Sequence, residues 1–129
     1  MLFRSRSEGG EVLLGGKAPG AAALKKGCFV EPTVVRAKLS DRVCQEEVFG
    51  PFVTVTTFKD DAEVLAMAND STYGLGGSIF TSDVERAQQL ARRIETGSMG
   101  INFYGSNLAA PFGGWKDRSE EHTSELQSH

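Results

Sequence analysis

The feature that most constrains the fold is a regular alternation of strand-like and helix-like segments in the middle of the chain. Phe52–Phe58 is almost wholly β-branched or aromatic, which is typical of a strand covered on both faces. Gly77–Thr81 and Ser98–Phe103 are the next strand-like segments, and a helical pattern precedes each of them. Strands that alternate with helices pair in parallel, because the helix carries the chain back along the sheet. We therefore predict an α/β fold in which these strands form one parallel sheet with crossover helices.

Short polar motifs predict where the two helices begin. Asp60-x-x-Glu63 and Ser82-x-x-Glu85 both have the spacing of a capping box, in which the first side chain accepts from a free N–H group of the first turn. Gly97 is predicted to supply the left-handed residue that ends the second helix.

The first half of the chain is less regular. Glu11–Gly16 predicts a strand and a turn, and Lys17–Gly27 predicts a surface loop. Cys28–Arg36 is a second extended stretch. Pro32 interrupts it, which favours an edge strand or a bend, because proline has no N–H group to donate to a neighbouring strand. Lys38–Gln45 is polar and predicts mostly connecting structure.

Composition excludes several classes of partner. The 129 residues carry 14 basic and 17 acidic side chains, a net charge of −3. We therefore predict no binding to nucleic acid or to an anionic membrane surface. No apolar run approaches the ~18 residues of a membrane span. Cys28 and Cys44 have no paired spacing, so we expect two small, mostly buried residues in a reducing, cytoplasmic setting, and we predict no metal site.

Four motifs follow one another along the chain: EEVFGP (Glu46–Pro51), NDSTYGLGGSIFT (Asn69–Thr81), TGSMGIN (Thr96–Asn102) and APFGGWK (Ala110–Lys116). In this order they resemble the C-terminal part of the catalytic domain of the aldehyde dehydrogenase superfamily. The resemblance runs from about Glu8 to Asp117. It implies an incomplete piece of an enzyme that oxidises a small-molecule aldehyde to a carboxylic acid with NAD or NADP, and a homo-oligomeric parent protein.

The resemblance also implies roles for three residues. Glu47 would accept hydrogen bonds from the nicotinamide-ribose hydroxyls, which suits a carboxylate because both of its oxygens are acceptors. Phe49 would pack against the nicotinamide end of the cofactor, and Phe112 would line the substrate tunnel. The alternatives are a solvated acidic pair at Glu46 and Glu47, with Glu46 having at most a minor role in cofactor binding, and ordinary core packing for Phe112.

Several other motif residues are interpreted as structural. The GLGG run lies between a helix and a strand, whereas a phosphate-binding loop lies between a strand and a helix N-terminus. The residues in this group are Gly74, Gly76 and Gly77, for turns and close packing; Asn102, for bonding loop backbone; and Trp115 and Lys116, at the surface or in packing.

We predict no catalytic residue in this chain, and the isolated chain is predicted to be inactive. The family's nucleophile lies upstream, in a Gly-Gln-x-Cys-type motif that this sequence lacks. Two alternatives stay open: a semialdehyde or acyl-CoA-forming dehydrogenase of the same superfamily, and a non-catalytic α/β binding or interaction module.

The two ends of the chain resemble translated sequencing adaptor. Residues 1–5 and 118–129 are encodable by opposite strands of the same adaptor. We therefore expect residues 6–117 to be the partial catalytic domain, and the C-terminal tail to be a disordered scar.

Overall fold

The computed structural model of the chain describes residues 9–105, 109 and 113–117. Contacts divide the chain into two compact units, Met1–Phe58 and Lys59–His129. Both units combine helices with parallel strand pairs, so the predicted α/β class is confirmed. The predictions for the two ends and for Phe112 lie outside the described residues.

The first unit is built on a three-stranded sheet. Its strands are β1 (Glu11–Leu14), β2 (Thr33–Arg36) and β3 (Phe52–Val55), in the order β1-β2-β3. The β1 strand is antiparallel to β2, and β3 is parallel to it. A short 3₁₀ helix (Ala22–Leu24) lies in the first connection, and a one-turn helix, α1 (Arg42–Gln45), lies in the second.

Of the two alternatives predicted for the segment around Pro32, an edge strand or a bend, the edge strand is wrong, because β2 is the central strand of this sheet. Pro32 lies immediately before the strand, where a missing N–H group breaks no ladder bond. The ladder begins at Thr33, whose N–H donates to the Pro51 carbonyl at 2.9 Å. Val35, at the centre of β2, is completely buried.

The strand β3 is also shorter and more exposed than predicted. It ends at Val55, and Val53 is 58% exposed. Side chains alternate between the faces of a strand, and in β3 the partly buried residues alternate with exposed ones. In this chain β3 is therefore covered on one face rather than on both.

The second unit contains two strand pairs and two helices. The helices are α2 (Asp61–Asn69) and α3 (Val84–Ala91); the strands are β4 (Tyr73–Gly74), β5 (Gly76–Ile79), β6 (Ser98–Ile101) and β7 (Trp115–Lys116). The β5 and β6 strands are parallel, and α3 lies in the connection between them. The β4 and β7 strands are antiparallel.

The parallel crossover predicted between β5 and β6 is therefore confirmed. The prediction that β3 belongs to the same sheet is wrong. Among the described residues β3 pairs with β2, in register from Thr33–Phe52 to Arg36–Val55. The connection between β2 and β3 is itself a crossover that contains α1. Two neighbouring strands that run parallel require such a crossover connection. The sequence pattern identifies a strand but does not show which other strand it pairs with.

The first predicted helix cap is confirmed. Asp60 Oδ1 accepts a hydrogen bond of 2.8 Å from the Glu63 N–H, and Glu63 Oε2 accepts one of 2.7 Å from the Lys59 N–H. Both carboxylates therefore satisfy N–H groups at or beside the start of α2.

The second cap lies one residue later than predicted, at Asp83 instead of Ser82. Asp83 Oδ1 accepts from the Arg86 N–H at 3.0 Å. The Thr81 hydroxyl oxygen accepts from the Asp83 N–H at 3.1 Å, and this bond fixes the turn that precedes the helix.

Gly97 does not end α3, which corrects the prediction made for it. The helix stops at Ala91, with Arg92 at its cap, and the described glycines in the left-handed region are Gly9, Gly15 and Gly16. The loop beyond Arg92 separates the helix end from Gly97, so a different constraint explains this glycine.

Each unit has its own small core. Among the residues that the structure describes, the buried apolar ones are Val35 and Ala37 in the first unit, and Leu65 and Ala87 in the second. Within the described residues no helix has both the length and the apolar character needed to cross a membrane.

Candidate functional site

The EEVFGP segment connects α1 to β3 on the surface of the first unit. The α1 helix ends at Gln45, and Glu46 has extended backbone with φ −108° and ψ 140°. Beyond it, the Phe52 N–H donates to the Gly50 carbonyl at 2.8 Å, and β3 begins. The motif therefore lies on an exposed link with a helix turn before it and a sheet strand after it.

The two carboxylates of the motif differ in their surroundings. Glu46 forms an ion pair with Arg42, one helical turn earlier, and both side chains are about half exposed. Glu46 has extended backbone, and adjacent side chains lie on opposite faces of such backbone. Glu47 is exposed.

Phe49 is the most exposed large apolar side chain in the part of the chain that the structure describes. It is 89% exposed. Full burial of such a side chain is worth roughly 1.5–3 kcal/mol, and this chain gains little of that from Phe49. A phenyl ring in this position is available to a ligand or to another protein segment.

The glycines of the GLGG region lie in close packing, as predicted. A β-carbon at Gly74 would lie 2.6 Å from the Glu95 carbonyl oxygen. A β-carbon at Gly77 would lie 2.8 Å from the Met99 methyl carbon. The contact at Gly74 is with main chain and leaves no room for a larger residue, whereas the Met99 methyl carbon near Gly77 is the end of a flexible side chain that can move aside.

Asn102 bonds loop backbone, which confirms its structural interpretation. Its side-chain amide donates to the Thr81 carbonyl and accepts from the Thr81 N–H, both at 2.8 Å. Its own N–H donates to the Ile79 carbonyl at 2.8 Å. Asn102 has a φ of 52°, a left-handed conformation that asparagine tolerates better than most residues.

Lys116 has a larger structural role than the sequence indicated. Its Nζ donates to the main-chain carbonyls of Asn69 at 2.7 Å and Ser71 at 2.9 Å, and pairs with Glu95 at 3.0 Å. Its side chain is only 23% exposed. Lysines bind the free carbonyls at helix ends, but no local pattern marks Lys116 for the end of α2.

The cysteines do not form a site. Cys28 is exposed, so the prediction of burial is wrong for it, and Cys44 is half-buried. Cys28 lies between the 3₁₀ helix and β2, in irregular backbone outside the ladder, where no strand pairing covers it. Within the described ranges, no three His, Cys, Asp or Glu side chains are grouped so that they could hold a metal ion.

The chain is similar to known aldehyde dehydrogenases in sequence and in fold. The family model described as "Aldehyde dehydrogenase family" matches residues 1–125. An aldehyde dehydrogenase of Deinococcus radiodurans is 44% identical over 112 residues, which are 86% of this chain and 22% of that protein.

Two solved structures are similar in fold and in sequence. PnpE from Pseudomonas sp. WBC-3 has a TM-score of 0.85 and 51% identity, over 89% of this chain and 24% of that one. Betaine aldehyde dehydrogenase from Staphylococcus aureus, in complex with NAD+, has a TM-score of 0.86 and 43% identity, over 89% of this chain and 23% of that one.

The chain therefore spans about a quarter of the length of the relatives that it matches. Since the family model covers nearly the whole sequence, the chain belongs to the aldehyde dehydrogenase family.

Proposed function

We propose that this chain supplies the nicotinamide-ribose contacts of an NAD(P)-dependent aldehyde dehydrogenase that oxidises an aldehyde to a carboxylic acid. Glu47 accepts hydrogen bonds from the ribose hydroxyls, and Phe49 packs against the nicotinamide. The cofactor, when bound, supplies the nicotinamide that accepts a hydride. Similar solved enzymes in complex with NAD+ support this cofactor class.

The observation that carries the proposal is the exposure of both Glu47 and Phe49 in the EEVFGP segment. Glu47 and Phe49 are two residues apart in this segment. A carboxylate, whose oxygens are acceptors, and an exposed phenyl ring suit a ribose joined to a nicotinamide ring.

The test uses a chimera in which residues 6–117 replace the matching segment of the S. aureus betaine aldehyde dehydrogenase. The host supplies the remaining three-quarters of the enzyme, and the readout is single-turnover hydride transfer with betaine aldehyde. Glu47→Gln keeps the side-chain volume and one acceptor but removes the charge. A hydrogen bond to a charged group is worth ~1.5–3 kcal/mol, so we expect a loss of roughly one to two orders of magnitude.

The matched control is Glu46→Gln. Its carboxylate is engaged by Arg42 in an exposed i, i+4 pair, and such pairs contribute only about 0.3–0.5 kcal/mol. We expect less than a threefold loss of rate, from about 0.5 kcal/mol or less. Equal, small effects at the two positions, with unchanged thermal melts, would mean that the two glutamates are a solvated acidic pair.

Other parts of the proposal rest on the family resemblance. The tunnel role of Phe112, a homo-oligomeric assembly and the inactivity of the isolated chain stay predictions. Two free cysteines support a reducing, cytoplasmic location. Reduction of NAD+ by the purified chain with a simple aldehyde, lost in Cys44→Ser, would instead assign a catalytic cysteine to this segment.

A further inference from the structure

Hydrogen bonds over short distances in the sequence fold back the segment that precedes Glu47 and Phe49. Asp41 Oδ2 accepts from the Lys38 N–H at 2.8 Å, and the Asp41 N–H donates to the Lys38 carbonyl at 2.9 Å. Further along, Gln45 Nε2 donates to the Leu39 carbonyl at 2.8 Å. Residues 38–45, here called the α1 loop, are thereby folded back on themselves.

These bonds matter because α1 is too short to be stable on its own. It has four residues, and an isolated single turn of helix is unstable in water because nucleation is unfavourable. Contacts from outside the turn must therefore fix the direction in which the chain leaves it.

The Gln45 bond is the contact best placed for this task. It is partly buried, whereas the Lys38–Asp41 bond is exposed to competing water. Its acceptor, Leu39, lies two residues after Ala37, which is buried and donates to the Val55 carbonyl of β3 at 3.2 Å. The end of α1 is thus tied to backbone that the sheet itself holds.

We propose that Gln45 is a positioning residue for the nicotinamide half of the cofactor. It holds the end of α1 at a fixed distance from the sheet, two residues before Glu47 and four before Phe49. The inference rests on the proposed function, because Gln45 acts through Glu47 and does not itself touch the cofactor.

The test is a double-mutant cycle in the same chimera. Gln45→Met keeps the length and volume of the side chain but removes the donor to Leu39. We expect hydride transfer to fall about threefold to tenfold, the effect of losing one neutral hydrogen bond. In the Glu47→Gln background the same substitution should change the rate less than twofold, because the group that Gln45 positions is already impaired.

Gln89→Met is the matched control, since Gln89 is an exposed glutamine of α3. We expect no change of rate from it in either background. Thermal melts of all variants show how much each substitution destabilises the fold, and hydride transfer is compared at a temperature at which every variant stays folded.

Each outcome decides the inference. An equal loss from Gln45→Met in both backgrounds, or no loss in either, would overturn it while the role of Glu47 stands. If Glu47→Gln itself leaves hydride transfer unchanged, the proposed function fails, and the role of Gln45 fails with it.

Discussion

The carbonyl oxygen of Gly113 lies 1.8 Å from the position that a β-carbon would take at Gly97. The carbonyl carbon of Gly113 is 2.8 Å away, and the Cα of Gly114 is 3.0 Å away. Gly97 is also held in place, since its N–H donates to the Gly74 carbonyl at 3.0 Å. The TGSMGIN and APFGGWK motifs therefore meet at this point, backbone against backbone.

We expect Gly97→Ala to destabilise the second unit. The obstacle is main chain, which cannot rotate away as a side chain can, so a cost of about 1–3 kcal/mol or more follows from overpacking. Urea unfolding of the chain measures it as a lower midpoint. Gly113→Ala is the matched control, because a β-carbon there meets nothing within 4 Å. Equal midpoints for the two variants would contradict the steric explanation.

Lys116→Met tests the ammonium contacts at the end of α2. The substitution keeps an unbranched side chain but leaves the carbonyls of Asn69 and Ser71 without their ammonium donor. Loss of a partly buried donor of this kind costs about 1–3 kcal/mol, so we expect a lower urea midpoint. Lys25→Met, at an exposed lysine, should change it by less than about 0.5 kcal/mol. Equal effects would show that the Lys116 contacts contribute nothing specific.

The sequence predicts the local features of this fold and the parallel crossover from β5 to β6, but not the other long-range strand pairings. Asp60 and Glu63 cap α2 as expected, because the capping bonds span only a few residues. The cap of α3 is Asp83 rather than the predicted Ser82, because a hydrogen bond to the Thr81 hydroxyl fixes the turn before the helix. The neighbour of β3 was missed because pairing depends on the whole crossover that precedes it.

The candidate site shows the same division. The roles of Glu47 and Phe49 are predictions from a contiguous motif, whereas the role proposed for Gln45 rests on a bond to Leu39 that only the folded loop reveals. Likewise, Lys116 follows an aromatic residue in a glycine-rich motif, and nothing nearby in the sequence points to carbonyls more than forty residues earlier.

We expect low pH to weaken the ion pair between Asp61 of α2 and Arg86 of α3. Arg86 donates to both carboxylate oxygens of Asp61, and these hydrogen bonds, with the charge of Arg86, lower the pKa of Asp61 below its ordinary value. A carboxylate with a lowered folded-state pKa stabilises the fold fully above the unfolded pKa of about 3.9. That contribution is lost as the pH falls through the folded pKa.

The difference in urea midpoint between the unsubstituted chain and Asp61→Asn should therefore be constant above about pH 5 and shrink below about pH 4. High salt should also reduce it, because both side chains are partly exposed. Glu85→Gln, in the first turn of α3, controls for the loss of a nearby acidic charge. A difference that stays the same at low pH would exclude ionised Asp61 as its source.

Phe49→Ala distinguishes a ligand contact from a packing contact. Phe49 is 89% exposed, so its truncation should change the stability of the chain by less than about 0.5 kcal/mol. In the chimera, hydride transfer should fall about threefold to tenfold, since an aromatic contact is worth roughly 0.5–1.5 kcal/mol beyond its buried area. Phe80→Ala is the control, because Phe80 is also largely exposed, at 69%, but lies outside the EEVFGP motif. If both truncations slow hydride transfer equally, the exposure of Phe49 reflects only cover that the rest of an aldehyde dehydrogenase provides, and the cofactor contact must be assigned elsewhere.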